Sequence, residues 1–350
     1  MHSWQIIDWG EPLQARDMDT PEPTGTEVLV KVAACGICHS DLHIRDGYFD
    51  LGGGKRLTLG DRGVDLPFTM GHEVVGEVVA VGSEAEDIAV GDKRIVYPWI
   101  GCRECAVCER GDELFCDRMK SIGARVDGGY SDHVIVPHAK YLIDYTGVAT
   151  DLACTYACSG ITAYSALKKL MPLTSDDWLL ITGAGGVGLS AVHIAQAMTD
   201  AKIVVADIDG TKRAAARQSG ATETMDNAEP DAIRRIIRLT KGGVAGGIDF
   251  VGAPESSDFG VNALRKGGTH VIVGLYGGAL ELSLPLVPMK QITVRGSYVG
   301  TLSEMAELMA LVSAGKVAPI PVRARPLAEV NEALDDLKQG RVLGRVVIHP

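Results

Sequence analysis

Leu179-Leu180-Ile181-Thr182-Gly183-Ala184-Gly185-Gly186-Val187-Gly188 decides the fold of this chain. An apolar strand runs straight into a G-x-G-x-x-G turn, and an apolar helical stretch, Leu189 to Met198, follows it. A dinucleotide loop has this order: glycines allow the tight turn and let the backbone approach a pyrophosphate, which rests on the helix N-terminus. The six-residue motif alone is weak evidence, and its competitor is a glycine-rich turn that binds nothing. Context strengthens it, because Asp207 ends the next apolar strand nineteen residues after Gly188, where a carboxylate accepts hydrogen bonds from the adenosine ribose hydroxyls. The same negative charge opposes a 2′-phosphate, so NAD is expected rather than NADP.

Reading outward from that turn, Trp178–Ile181, Ile203–Asp207, Gly247–Val251, His270–Val273 and Ile292–Val294 are apolar strands separated by helical stretches. Alternation of this kind means a parallel sheet with helices on both faces. The first 150 residues read differently, as β-rich runs such as Val28–Val32 and Val74–Val81 punctuated by Gly and Pro. They predict an irregular antiparallel barrel. After Tyr298 a helical run, Ser303 to Ala314, leads to a second β-like tail ending at Arg345-Val346-Val347-Ile348. The fold class is therefore α/β, and 350 residues suffice for two domains with separate cores.

A net charge of -11 with scattered Lys and Arg argues against nucleic-acid or anionic-membrane partners. The start, Met1-His2-Ser3-Trp4-Gln5-Ile6-Ile7-Asp8, lacks a basic, apolar signal pattern, and no apolar run reaches bilayer-spanning length. With thiols kept free for metal, a cytoplasmic protein is expected.

Six of the eight cysteines fall into two metal patterns. Cys102, Cys105, Cys108 and Cys116 form a C-x2-C-x2-C-x7-C block, whose spacing suits a closed, structural zinc better than disulfides. Cys38, His72 and Cys158 are scattered, and a three-ligand site with an open position is the catalytic kind of zinc. An open-site zinc acidifies an alcohol and polarises a carbonyl; beside a nicotinamide, that points to hydride transfer. Cys35 and Cys154 sit among apolar residues and read as buried small hydrophobes.

Cys38-His39-Ser40-Asp41-Leu42-His43, Gly71-His72-Glu73-x-x-Gly76, the four-cysteine loop, Cys158-Ser159-Gly160-Ile161-Thr162, the glycine loop and Gly296-Ser297-Tyr298-Val299-Gly300 occur in that order. Over essentially its whole length the chain resembles the zinc-dependent medium-chain alcohol dehydrogenases, closest in pattern to their yeast and bacterial branch. The resemblance implies a GroES-like barrel as a catalytic domain at 1–158 and 299–350, enclosing a Rossmann domain at 159–298, with the site between them. It implies Cys38, His72 and Cys158 as catalytic zinc ligands, Glu73 as a carboxylate able to approach the metal, and Asp41 as the group orienting His72. Ser40 would take the alcohol proton and pass it through the nicotinamide ribose to His43. His39 and Arg345 resemble pyrophosphate contacts, and Lys212 an adenosine-ribose contact. Thr162 would pack on the nicotinamide, with the carbonyls of Val273, Ser297 and Val299 on its carboxamide. Competing readings stay open: a solvated His43, a salt-bridged Glu73, a surface Arg345, and Thr162 as a helix cap.

The interval from Cys38 to His72 is longer than in that branch, by a segment at about 47–59. Tyr48, Phe49 and the basic Lys55, Arg56 and Arg62 are expected to rim the substrate entrance, unless the segment is a surface or subunit-contact loop. Trp99 resembles the family's pocket wall, and Ser40, where many relatives carry Thr, leaves extra room. Together they favour primary alcohols and aldehydes: medium-chain, aromatic or ω-hydroxy acid. The short loop after Cys116 goes, in the family, with homo-tetramers rather than homo-dimers. Rival readings are a polyol or secondary-alcohol dehydrogenase, disfavoured by Cys158 where that branch usually has Glu, and a non-catalytic zinc-stabilised dinucleotide-binding protein.

Overall fold

The computed structural model describes residues 1–350. Its second half is built on a six-stranded parallel sheet. In spatial order the strands are Glu223–Met225, Lys202–Ala206, Trp178–Thr182, Val244–Asp249, Leu264–Ile272 and Thr293–Gly296. Residues alternate between the two faces, as the pleat requires. Leu180, Val204 and Ala206 pack with Ile236 and Phe259, while Leu179, Ile181, Ile203 and Val205 pack with Leu189 and Val192. Burial on both sides explains why these strands read as continuous apolar runs. The strand order reverses at Trp178–Thr182, so a crevice opens at its carboxyl end, where the glycine loop begins.

The five strands expected from the sequence all exist, with ends shifted by a few residues. Glu223–Met225 was not expected; at three residues it is too short to show a period.

The other sheet has the order Val322–Pro326, Arg345–His349, Val28–Gly36, Glu73–Val81, Lys93–Val96 and Leu142–Asp144, with His133–Val136 also paired to Val28–Gly36. Register shifts between Leu29 and Val30 and between Val32 and Ala34 bend the central strand, which gives the irregular barrel. The carboxyl-terminal strand lies against Cys35 and Gly36, so the end of the chain returns to the sheet of its first half. The segment expected at 47–59 is a hairpin, Tyr48–Asp50 paired with Arg56–Thr58. No helix is long and apolar enough to cross a membrane.

Candidate active site

Cys38 caps the helix His39–Asp46, and its backbone N–H donates to Asp41 Oδ2 at 2.8 Å. This local turn fixes where the Cys38 sulfur points. Asp41 is fully buried: Tyr130 donates its hydroxyl to Oδ2 at 2.7 Å, and Oδ1 lies 3.1 Å from His72 Nδ1. The imidazole is thereby oriented, and its other nitrogen, Nε2, is buried with no partner in the protein. Cys158 arrives from a different direction, in a π-helical turn Tyr156–Gly160 between helices Thr150–Thr155 and Ile161–Lys168. Such turns displace one residue from the helical ladder and are common at functional sites.

The ligand atoms of Cys38, His72, Glu73 and Cys158 all lie within 4.8 Å of one another. The two sulfurs are 3.9 Å apart, close to the roughly 3.8 Å that tetrahedral geometry sets for two thiolates about 2.3 Å from one zinc. The orphaned His72 nitrogen and the borderline S, N donor set fit zinc. The salt-bridged reading of Glu73 holds for one of its two oxygens. Its Oε1 pairs with Arg345 Nη2 at 2.5 Å and accepts from Ser159 N–H, while Oε2 is buried without a partner beside the thiols. Burial pushes this carboxyl up to about 7, against the opposing pull of Arg345.

The four-cysteine loop is a second, separate cluster. Its sulfurs lie 3.5 to 3.9 Å apart in the Cys105–Cys108, Cys102–Cys108 and Cys105–Cys116 pairs, and none is joined in a disulfide. Backbone N–H groups of Cys102 and Arg118 donate to Cys116 Sγ, as suits a thiolate. Glu113 ties the loop to the barrel, accepting from Gly101 N–H and the Tyr141 hydroxyl. Cys35 and Cys154 are buried free thiols.

A cavity of about 510 Å³ joins the catalytic cluster to the glycine loop. A Cβ on Gly188 would lie 1.9 Å from the Gly183 carbonyl oxygen, and one on Gly186 would strike Arg345, so neither position admits a side chain. Gly185 has no neighbour within 4 Å of its Cβ position, leaving the helix N-terminus open to the cavity. Asp207 accepts from Ala184 N–H at 2.7 Å and Asp209 N–H at 2.8 Å, so its carboxylate also shapes the turn. Lys212 and His39 line the same end. Arg345, buried and touching Gly186, is not a surface charge. Thr162 lies within its helix with a buried, unpartnered hydroxyl facing the cavity and is not a cap. The carbonyls of Val273, Ser297 and Val299 accept no backbone hydrogen bond. Val299 has φ +42°, a strained conformation for a β-branched residue of the sort that collects at ligand sites. These free donors and acceptors around an open helix end fit a dinucleotide.

Two family models match, "Alcohol dehydrogenase GroES-like domain" over residues 24–145 and "Zinc-binding dehydrogenase" over 186–314. The chain is 37% identical over 352 residues to an NAD-dependent alcohol dehydrogenase of Saccharolobus solfataricus, covering 100% of both. It superposes on the alcohol dehydrogenase of Aeropyrum pernix with a TM-score of 0.90 at 31% identity, covering 100% of both chains. It also superposes on acetophenone reductase of Geotrichum candidum in complex with NAD, with a TM-score of 0.84 at 27% identity, covering 100% of this chain and 97% of that one. The chain belongs to the zinc-containing medium-chain alcohol dehydrogenases. It is accordingly an NAD-dependent oxidoreductase acting on CH–OH groups.

The substrate side of this dehydrogenase is walled by Trp99, whose indole N–H donates to the Ala157 carbonyl at 2.9 Å. The indole stands 5.4 Å from the His72 ring and edge-on to Tyr298 at 5.7 Å. Ser40 and His43 face the cavity, and His43 packs against Phe49 at 5.1 Å. Tyr48 does not line the cavity. The hairpin turns it to the opposite face, under the Arg56 guanidinium at 4.0 Å, and presents Phe49 and Leu57 inward. Lys55, Arg56 and Arg62 are also outside the lining. Arg125, which the sequence did not suggest, is inside it. So is Tyr298, seen only as part of a motif, and Tyr130 behind Asp41 was likewise missed.

Proposed function

We propose that this enzyme oxidises a primary alcohol to the aldehyde with NAD, reversibly, at the Cys38–His72–Cys158 site. The observation that carries this reading is the single cavity shared by that thiolate–imidazole cluster and the open glycine loop. When bound, zinc would supply the Lewis acidity that lowers an alcohol's pKa, and NAD the hydride acceptor.

The chain's own residues do the rest. Asp41, held by Tyr130, keeps His72 in the tautomer whose Nε2 faces the donor cluster. Ser40 accepts the alcohol proton within the cavity, and His43, whose ring also lines it, receives the proton in turn. Thr162 and the free carbonyls of Val273, Ser297 and Val299 orient the nicotinamide, Asp207 and Lys212 the adenosine ribose, and His39 and Arg345 the pyrophosphate. Trp99 and Tyr298 narrow the space beside His72, which favours an unbranched carbinol carbon over a bulky secondary one.

On the resemblance already described we divide the chain into a catalytic unit at 1–158 and 299–350 and a nucleotide unit at 159–298, and read the protein as a cytoplasmic homo-tetramer. The test is NAD reduction with medium-chain, aromatic and ω-hydroxy acid primary alcohols, each paired with its secondary isomer. Secondary or polyol substrates turned over best would overturn the proposal.

A further inference from the structure

The chain crosses from the parallel sheet back toward the barrel through Ser297-Tyr298-Val299-Gly300, between the strand Thr293–Gly296 and the helix Leu302–Ser313. Val299 stands in this crossing at φ +42°. A β-branched residue in that conformation is strained and persists only where its surroundings hold it. Hydrogen bonds fix the crossing on both sides of Val299. Before it, Ser297 N–H donates to the Ile272 carbonyl at 2.9 Å. After it, the Gly300–Thr301 peptide is held at both ends. The Tyr97 hydroxyl donates to the Gly300 carbonyl at 2.7 Å, and Thr301 N–H donates to Glu304 Oε2 at 2.9 Å. The backbone of Gly300 also packs directly on the helix that follows Cys158, since a Cβ there would lie 2.7 Å from Ile161 Cγ1.

The two ends of that peptide are held differently. Glu304 belongs to the helix the peptide leads into, and its bond is part of an ordinary capping box. Tyr97 comes from the other sheet, directly after the strand Lys93–Val96 and two residues before Trp99. Its hydroxyl therefore ties the crossing to the barrel. Tyr97 is 2% exposed, and burial, with Glu113 and Glu304 adding, raises its pKa, so the hydroxyl stays protonated and donating. Its N–H donates to the Tyr141 carbonyl at 2.8 Å, and its ring lies parallel to the Tyr141 ring. A hydroxyl mounted in this way is a fixed point, not a side chain free to follow the crossing.

We propose that Tyr97 is a positioning residue for the cofactor: by clamping the Gly300 carbonyl, it holds strained Val299 in the conformation that offers the Val299 carbonyl to the nicotinamide carboxamide. The proposal rests on the role given above to the Val299 carbonyl. Tyr97 does not line the cavity, so it acts through the crossing alone.

The test compares the binding of NADH and of ADP-ribose, which lacks only the nicotinamide, to the zinc-loaded protein by calorimetry. Wild type should bind NADH the more tightly. Tyr97→Phe removes the hydroxyl and keeps the ring. It should weaken NADH by about three- to tenfold, the range of one neutral hydrogen bond, and leave ADP-ribose within about twofold. Tyr141→Phe is the matched control, because it takes the hydroxyl that bonds Glu113 from the neighbouring ring. It should lower the melting temperature without moving the NADH/ADP-ribose ratio. Both affinities are measured on one protein, so a folding defect cancels from the ratio. A Tyr97→Phe ratio equal to that of wild type, or an equal shift in Tyr141→Phe, makes Tyr97 a structural phenol only and overturns the proposal while the Val299 role stands. A wild-type ratio near one would instead show that the nicotinamide gains no contacts, removing the Val299 role and the proposal with it.

Discussion

His43 shows how a residue's surroundings decide its chemistry. Its ring is packed on Phe49, and its Nε2 is buried with no partner. Burial, with the nearby His39 adding, lowers its pKa below the ordinary 6.5. A lowered value keeps the imidazole neutral, and able to accept a proton, to more acid pH than a free histidine allows. Wild-type alcohol oxidation should therefore persist through pH 6.5 and fall only below it. His43→Ala should lose up to about 10²-fold in kcat near neutrality and recover at high pH or with added imidazole. A flat pH–rate comparison of the two proteins would remove His43 from the proton path. Asp207 holds the turn through Ala184 and Asp209, beside its proposed role toward the cofactor. Asp207→Asn keeps one oxygen acceptor and removes the charge, so it should chiefly relax discrimination against NADP. Asp207→Ala removes both and should also raise the NAD KM, by roughly the 1.5–3 kcal/mol of hydrogen bonds to a charged group. Initial rates with NAD and NADP separate the two; equal NAD/NADP ratios in wild type and Asp207→Asn would exclude the charge as the discriminator.

Elements differ in how much of themselves they write into the sequence. The parallel strands were legible because burial on both faces demands unbroken apolar runs, and the glycine turn because its close contacts exclude side chains. The four-cysteine loop was legible because metal geometry fixes spacing. Tyr48 was misjudged because a hairpin's register decides which face each residue takes, and a one-residue change reverses it. The π-helical turn at Cys158 has no periodic signature, and Arg125 belongs to no motif; only the folded loop carries it into the wall. The cysteine loop yields a prediction at this scale. Cys105→Ser should lower the zinc content from two to one per chain and reduce the melting temperature, since a closed thiolate site contributes folding free energy. Residual molecules that fold should still reduce NAD. Normal stability with abolished turnover would reverse the assignment of the two zinc sites.

At the scale of the whole molecule, the two sheets meet across the cavity, and the hairpin spans them. A Cβ on Gly52 would lie 2.7 Å from the Gly278 backbone, and one on Gly277 would lie 2.9 Å from Asp50 Cβ. Gly277 and Gly278 follow Val273–Tyr276, a stretch that lines the cavity. The hairpin tip therefore rests beside the segment proposed to hold the nicotinamide, and its position is expected to couple substrate entry to cofactor binding. Gly52 and Gly53 permit a matched comparison. Both have positive φ, +79° and +60°, so alanine at either costs about 1 kcal/mol of backbone strain. The Gly53 Cβ would point into open space, whereas the Gly52 Cβ would push against Gly278. Both variants should lower the melting temperature, Gly52→Ala the more because its Cβ also meets the Gly278 backbone. Only Gly52→Ala should raise the KM for NAD and for the alcohol together, by several-fold, because only it displaces the tip from its seat. If the two variants share the same kinetics, the contact is incidental and the hairpin acts on the substrate channel alone, through Phe49 and Leu57.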